Sequence, residues 1–202
     1  MYALITDGSI SKFINHPKAM VIGDTQYPAK IFQLWSTSEK EAIGIYEVVY
    51  DNSNFKDEKW YINTNQSFAF ADDVVTASYG TATAKAHADT LFTAQDETDG
   101  KGTEGEVATR GLKYNLIQTL KSQVANELAR TDWYITRNAE KETAIPSAIS
   151  THRDAVRTKQ ASMETAITNA SNTPALKTLY TYTTDSDGVQ SRPLGELPVL
   201  ES

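Results

Sequence analysis

Apolar residues at intervals of seven indicate one long helix in the segment that follows Pro146. The interval starts after Pro146 and is kept by Ile149, Val156, Met163 and Ala170, and Ile167 widens the same face. A seven-residue repeat places its members along one side of an α-helix. The sequence therefore predicts a helix of roughly 24 residues with a heptad-like seam.

A second apolar stripe predicts a partner for this helix. Leucine or valine recurs at every fourth position, at Leu112, Leu116, Leu120, Val124 and Leu128. This spacing is typical of an amphipathic helix, and two long helices with a short connection form a helical hairpin. We therefore expect a helical hairpin over residues 112–172. Because a four-residue repeat drifts around the helix axis, the first helix should contact more than one neighbour.

The stretch between the two stripes predicts how the chain turns. Asp132 is suited to end the first helix and to cap the backbone N–H groups that follow it. Trp133 is expected to bury its ring at the corner, and Arg137 and Glu140 are expected to pair there. Pro146 suits the first turn of the second helix, because its fixed φ is already helical. The prediction is a capped corner closed by a tryptophan.

The first 80 residues carry the pattern of short strands. MYALITDGSISKF predicts a hairpin around Asp7-Gly8, and IYEVVYDN predicts a further strand. Two more strands are indicated by alternating apolar residues, at Trp60, Ile62, Phe68 and Phe70. Residues 1–80 are therefore predicted to form a small α+β domain with a mostly antiparallel sheet.

A capping signal predicts one short helix within that domain. Ser38 and Glu41 have the spacing of a capping box, in which each side chain satisfies the backbone N–H of the other residue. Gly44 can end this helix, because glycine adopts the left-handed conformation that closes many helices.

Two segments carry neither pattern. Residues 81–111 contain AQDETDGKGTEGE, which cannot bury much apolar surface, so a flexible or extended linker is predicted. Residues 173–202 combine TLYTYTT, a strand signal, with RPLGELPVL, so a strand and an extended tail are predicted. The predicted fold class is thus α+β, with a small N-terminal sheet domain, a linker and a C-terminal α-helical hairpin.

Charge and composition narrow the classes of function. The chain has 202 residues, a net charge of −7 and no cysteine. Phosphate backbones repel an acidic chain whose Lys and Arg are scattered, so no nucleic-acid partner is predicted. No apolar run approaches the ~20 residues that span a bilayer, so no membrane partner is predicted. The missing cysteines exclude disulfides, thiolate metal sites and cysteine nucleophiles.

Histidines and paired carboxylates give little sign of a cofactor or of catalysis. His16, His87 and His152 stand far apart and lack the spacing of a metal pair. Asp72-Asp73 is interpreted as a turn or strand end rather than an acid–base pair. We predict no cofactor and no enzyme activity, and the alternative of a hydrolase lacks a visible nucleophile–base pair.

The segment DSDGVQSRPLGE comes closer to a metal site. Asp185, Asp187 and Glu196 stand where the first, third and last ligands of a calcium loop belong. Val189 occupies a ligand position, however, and Gln190 stands where the loop needs glycine. We therefore interpret the segment as a plain turn.

The helical seam is the predicted partner surface. A two-helix hairpin has more apolar surface than it can cover alone, so it needs the N-terminal domain or another chain. This favours a homo-oligomer or contact with a second protein. The candidate interface residues are Trp133, Ile149, His152, Val156, Met163 and Ile167.

Aromatic residues of the predicted sheet suggest an alternative function. Sugars stack on exposed aromatic rings, so these residues could form a glycan-binding platform of an adhesin module. The core of a small sheet is the other interpretation, and it is the one we favour. The residues concerned are Trp35, Tyr46, Tyr50, Trp60, Tyr61, Phe68 and Phe70.

The stretch LARTDWYITRNAEKETAIPSAISTHRDAVR resembles the C-terminal module of tailed-bacteriophage tail-fibre assembly and tail-assembly chaperone proteins. The chain departs from that pattern at His152, where the family usually has tyrosine, and at Thr143, where glycine is common. MYALITDGSISKF and AIGIYEVVYD also look like the N-terminal parts of such proteins. The matching residues are Leu128, Ala129, Thr131, Asp132, Trp133, Arg137, Glu140, Ile145, Pro146, Arg153, Val156 and Arg157.

This resemblance implies a non-enzymatic role in building or forming a phage tail. The implied partners are phage tail or tail-fibre proteins, and the implied location is the virion tail or the host cytoplasm during assembly. Relatives include both assembly factors and components that remain on the particle, as tail, baseplate or fibre-associated proteins. The residues do not separate a resident component from a departing chaperone.

Overall fold

Five strands at the start of the chain form one curled sheet. The computed structural model describes residues 1–200 in two units, Met1–Thr83 and a second unit that begins at Ala84. The elements of the first unit are β1 (Tyr2–Thr6), β2 (Ser9–Ile14), β3 (Met20–Ile22), β4 (Thr25–Tyr27), α1 (Ile31–Leu34), α2 (Thr37–Glu41), β5 (Ile45–Asp51), β6 (Tyr61–Ile62), β7 (Gln66–Ala71) and β8 (Val74–Tyr79), and β9 (Thr83–Ala84) follows at the boundary.

The order of strands in the sheet is β2-β1-β5-β8-β7. Its neighbours are antiparallel except for β5 and β8, which are parallel. The ring of Phe13 on β2 lies 4.5 Å from the ring of Phe68 on β7, so the two edge strands approach each other as the sheet curls. The mixed α/β composition and the N-terminal sheet predicted from the sequence are confirmed.

Each face of the sheet carries its own buried cluster, because successive side chains of a strand point to opposite faces. On β5, Ile45 belongs to one cluster and Val48 to the other. The first cluster includes Phe32 of α1 and Met20 of β3, so the helix and the small hairpin cover that face. The second cluster centres on Val75, with partly buried aromatic rings packed against it.

The helix α2 begins two residues earlier than the sequence signal indicated. Its capping box joins Ser36 and Glu39: the Glu39 N–H donates to Ser36 Oγ at 3.3 Å, and the Ser36 N–H donates to Glu39 Oε2 at 2.8 Å. Ser38 and Glu41 have the same spacing but lie inside the helix. Ser36 rather than Ser38 is the N-cap because the Ser36 backbone is extended, which is the conformation of an N-cap residue.

Gly44 forms the turn between α2 and β5, at a position where a side chain would not fit. Its φ is +81°, and the Ile5 N–H donates to its carbonyl at 2.8 Å. A Cβ atom at Gly44 would lie 2.7 Å from the Ile5 carbonyl oxygen. The glycine therefore allows both the left-handed turn and the close approach of β1.

Replacing Gly44 with alanine should destabilise the first unit more than the same change at Gly23. Both glycines have positive φ, which costs an alanine about 1–2 kcal/mol. A Cβ at Gly23 meets nothing within 4 Å, whereas Gly44→Ala adds a backbone clash that should cost about 1–3 kcal/mol more. Urea unfolding followed by tryptophan fluorescence measures the difference. Equal losses in the two variants would contradict the close approach.

Two long helices dominate the second unit. Its elements are β10 (Thr90–Leu91), α3 (Ala94–Thr98), β11 (Val107–Thr109), α4 (Leu112–Ala129), α5 (Asp132–Lys141), α6 (Ser147–Asn169), α7 (Thr173–Tyr180), β12 (Thr183–Thr184) and β13 (Gln190–Ser191). α4 and α6 pack against each other, and both begin where the apolar stripes begin. The connection between them is a helix of its own, α5. None of the helices within residues 1–200 is long and apolar enough to cross a membrane.

The segment predicted as a flexible or extended linker, residues 81–111, instead holds the start of α4. The N–H groups of Leu112 and Lys113 donate to the carbonyls of Ala86 and His87, each at 3.0 Å. The Asp89 carboxylate accepts from the Gly111 N–H at 2.8 Å and from Arg110 Nη1 at 2.6 Å. The sequence interpretation was wrong because these polar groups satisfy the free N–H groups at a helix start.

α3 lies in the same segment and is fixed by an acidic capping residue. The carboxylate of Asp96 accepts hydrogen bonds from the Thr93 N–H and hydroxyl, at 3.0 and 2.7 Å, and pairs with Lys101 at 3.0 Å. The Thr93 bonds, and then Lys101, lower the pKa of Asp96 from 3.8 to about 2. The ionised form is thus preferred in the folded chain.

Acid should weaken this turn over a defined interval. Because the folded pKa of Asp96 is depressed, its contribution to stability is present above pH 3.8 and is lost as the pH falls toward about 2. An NMR titration of the Asp96 carboxyl should show this low midpoint. Asp96→Asn should remove the pH-dependent part of the chemical-shift changes at Thr93 and Ala94. A midpoint near 3.8 in the intact chain would contradict the capping geometry.

The segment predicted as a strand and an extended tail, residues 173–202, begins with a helix. The Asn172 side chain accepts from the Ala175 N–H at 2.9 Å and caps α7. Pro174 stands in the first turn, and Leu176 is fully buried. The cap and this buried contact outweigh the strand preference of TLYTYTT, of which only Thr183 and Thr184 form a strand. Glu201 and Ser202 lie outside the described residues.

Candidate functional site

A buried arginine joins the end of α4 to the start of α5. The side chain of Arg153, on α6, is 9% exposed. Its Nη1 donates to the Leu128 carbonyl at 2.7 Å, to Thr131 Oγ1 at 2.7 Å and to Asp132 Oδ1 at 2.8 Å. We call these four residues the Arg153 clamp. The clamp therefore fixes the corner between α4 and α5 from α6. The sequence had instead predicted that a cap at Asp132 and a buried ring at Trp133 would form this corner.

The local sequence explains why the chain offers these acceptors. α4 ends at Ala129, so the Leu128 carbonyl is one of the last four that lack an intrahelical partner. Thr131 is 2% exposed, and its hydroxyl donates to the same carbonyl at 3.0 Å. Asp132 is the first residue of α5, where a carboxylate complements the positive end of the helix dipole. Arg153 therefore meets three acceptors at one corner: a carbonyl that also accepts from the Thr131 N–H, a hydroxyl and a carboxylate.

A second polar contact extends the clamp. His152 is buried, and its Nε2 lies 3.1 Å from Glu127 Oε1 on α4. The Arg130 guanidinium beside Glu127, helped by His152, lowers the pKa of that carboxyl. The atom Arg153 Nε is buried without a hydrogen-bond partner among the described residues. Polar side chains thus occupy a place in the α4–α6 interface where apolar residues would be expected.

The residues of the predicted seam lie inside the second unit. The exposed fraction is 7% for both Ile149 and His152, 0% for both Val156 and Ile167, and 3% for Met163. The candidate partner interface on α6 is therefore corrected, because α4 packs against α6 and the seam is already covered within the chain. The sequence argument assumed that the hairpin could not cover its own apolar surface, whereas α6 buries its seam inside the second unit.

The corner residues differ in part from the prediction. Trp133 is 51% exposed, so it does not close the corner by burial. Arg137 lies over the Trp133 ring, 5.9 Å from its centroid, and none of the ion pairs within residues 1–200 joins Arg137 to Glu140. Pro146 is the N-cap of α6, one residue before the expected first turn. Asp132 acts through Arg153 rather than as a cap.

α5 presents an aromatic surface that the rest of the second unit leaves open. None of its ten residues is buried. The Trp133 and Tyr134 rings stand 3.8 Å apart, with Arg137 against Trp133. We call Trp133, Tyr134 and Arg137 the Trp133 patch. A half-exposed tryptophan beside an arginine has the composition of protein-binding hot spots.

The other candidate sites have structural roles. Asp185 Oδ1 accepts from the N–H groups of Asp187 and Val189, at 3.0 and 2.9 Å, inside the β12–β13 turn. Asp72 and Asp73 form the two-residue turn between β7 and β8, with φ of +50° and +57°. No group of three or more His, Asp or Glu side chains within residues 1–200 is placed to hold a metal ion.

The aromatic residues of the first unit are divided among separate places. Trp35 packs against Tyr27 in one cluster, and Tyr46 packs against Phe70 in the other. Trp60 is 3% exposed, whereas Tyr50 is 50% exposed. This distribution favours the sheet-core interpretation over a flat glycan platform.

Comparison with family models, with curated proteins and with solved structures gave no match. Sequence reasoning missed the role of Arg153 itself. A signal for it existed, because Arg153 stands four residues after Ile149 and three before Val156, on the apolar side of the helix.

Replacing Arg153 with methionine should destabilise the second unit by about 1–3 kcal/mol, because the guanidinium's hydrogen bonds to Leu128, Thr131 and Asp132 are lost. Arg157→Met is the matched control one turn further along α6. Arg157 pairs with Asp154 on the surface, so its loss should cost no more than about 0.5 kcal/mol. Urea midpoints of the two variants give the comparison, and equal midpoints would contradict the clamp.

Proposed function

We propose that this chain is a non-enzymatic protein of a bacteriophage tail that acts by binding other proteins through the Trp133 patch. The single observation that carries the proposal is the exposed, arginine-flanked tryptophan on a helix with no buried residue. Such an aromatic surface is costly to leave in water and gains most from a partner that covers it. The proposed partners are tail or tail-fibre proteins and further copies of the chain.

The resemblance to tail-fibre assembly and tail-assembly chaperone proteins supports the phage part of the proposal. Four of its matching residues, Leu128, Thr131, Asp132 and Arg153, meet in the Arg153 clamp. Trp133, the next residue of the motif, lies on the exposed side of the same corner. The motif thus has a physical interpretation, in which its buried members fix a helix and its exposed members contact a partner.

The architecture supports a binding role in a second way. We propose a fold with an N-terminal α+β unit and a C-terminal helical unit in which α5 is presented by the packed pair α4 and α6. A helix held by its neighbours costs little entropy to order on binding, so more of its contact energy appears as affinity. The proposed location is the virion tail, or the host cytoplasm while tails are assembled.

Removing the Trp133 ring should strongly weaken partner binding and leave the fold intact, because the ring is half exposed. Tagged chain is expressed in cells infected with the phage that encodes it, and retained tail and tail-fibre proteins are quantified by mass spectrometry. Trp133→Ala should lower their recovery by about tenfold or more, the effect of a hot-spot truncation. Leu34→Ala, a change at a 74% exposed residue of the first unit, is the control and should retain wild-type recovery.

The same experiment can contradict the proposal. Equal recovery with wild type and Trp133→Ala would exclude the patch as the binding surface. Failure of the wild-type chain to retain any tail protein, together with its absence from purified particles, would contradict the tail function. Presence in particles at a fixed copy number indicates a resident component, whereas presence only in the lysate indicates an assembly factor.

A further inference from the structure

The first unit has an open groove whose chemistry complements the Trp133 patch. The groove has a volume of about 370 Å³ and lies between α2, β5 and the start of β8. We call it the β5–β8 groove. Its apolar part includes Val49 and Val74, which are 54% and 41% exposed. Exposed valines in a concave surface favour an apolar ligand over water.

Three carboxylates line the same groove as these valines. They belong to Glu41 at the end of α2, Glu47 on β5 and Asp73 in the β7–β8 turn, and all three line the groove. Among the ion pairs of the described residues, none involves these three side chains. Burial, and then the charges of Asp73 and Glu41, raise the pKa of the Tyr46 hydroxyl in the same groove. The groove thus combines exposed valines with three carboxylates, Glu41, Glu47 and Asp73, which we call the rim carboxylates.

The Trp133 patch has the opposite character. Trp133 supplies a large, half-exposed ring, and Arg137 adds a positive charge beside it. Arg137 is in none of the ion pairs found within residues 1–200, whereas Arg130 is held by Glu127. A ring with an unpaired guanidinium fits a site that offers both an apolar surface and unpaired carboxylates.

We propose that the Trp133 patch of one copy docks in the β5–β8 groove of a second copy of this chain. In this contact the Trp133 ring covers Val49 and Val74, and Arg137 pairs with the rim carboxylates. The inference rests on the proposed protein-binding role of the Trp133 patch and names the partner. The second copy is favoured because one chain carries both complementary surfaces, with the positive charge of Arg137 on one and three carboxylates on the other.

The geometry of this contact determines what it builds. The patch and the groove are different surfaces, so the contact is heterologous rather than two-fold symmetric. Two copies joined by one contact keep one free patch and one free groove between them. Copies therefore add head to tail, and they form a closed ring where the rotation closes and an open row where it does not.

Sedimentation velocity of the purified full chain tests the proposal. Between about 1 and about 100 µM, a range suited to a small interface, the wild-type chain should associate into a closed ring of two or more copies or into an open row. Raising the salt should weaken the association, because the rim charges are exposed. The patch variant is Trp133→Ala with Arg137→Ala. The groove variant is Glu47→Lys with Asp73→Asn, since asparagine tolerates the positive φ at that position.

Each variant alone should be monomeric over the same range. The patch variant keeps an intact groove and the groove variant keeps an intact patch, so an equimolar mixture should form a 1:1 complex that grows no further. This recovery also shows that both variants are folded. The proposal is overturned by a monomeric wild type, by association that survives in either variant alone, or by a mixture that stays monomeric.

The outcomes separate this inference from the proposed function. A wild-type chain that is monomeric alone, yet loses tail-protein binding on Trp133→Ala, would overturn the self-docking and leave the tail function standing. A chain that self-associates as described but retains no tail protein would support the self-docking and contradict the tail function.

Discussion

Three hydrogen bonds from one guanidinium decide where the helical part of this chain turns. Arg153 Nη1 meets the Leu128 carbonyl, the Thr131 hydroxyl and the Asp132 carboxylate at 2.7–2.8 Å. Helix ends leave backbone groups without partners, and a buried end must satisfy them from elsewhere. At the end of α4 the Leu128 carbonyl accepts from the Thr131 N–H and hydroxyl as well as from Arg153, which at the same time holds the first residue of α5. We expect the direction of α5, and with it the exposure of Trp133, to depend on this contact.

The long helices could be predicted from the sequence because their burial is periodic. Leu120 and Val124 on α4, and Val156 and Met163 on α6, lie on the stripes and are buried. The partner of the seam could not be predicted, because an apolar stripe does not say whether its own chain or another covers it. The same stripe gives no sign that Trp133, one of the largest side chains in the region, is left half exposed.

The short helices were missed for a different reason. α3 and α7 occur in stretches whose composition indicates linker and strand, and side-chain caps at Thr93 and Asn172 fix them. Thr93 and Asp96 have visible capping-box spacing, so α3 was within reach of sequence reasoning. α7 also depends on the burial of Leu176, and this tertiary contact cannot be read from local preference. In the sheet, Gly44 combines a positive φ with a close backbone approach, of which the sequence indicated only the first.

Hydrogen exchange of the intact chain and of Arg153→Met tests most directly whether the clamp positions α5. The expected result is a loss of amide protection confined to α5 and the last turn of α4, while the amides of α6 around Val156 and Met163 stay protected. That pattern would show that the apolar seam folds without the clamp and that the clamp places the Trp133 patch. Unchanged protection of α5 in Arg153→Met, or an equal loss throughout α4 and α6, would contradict this role.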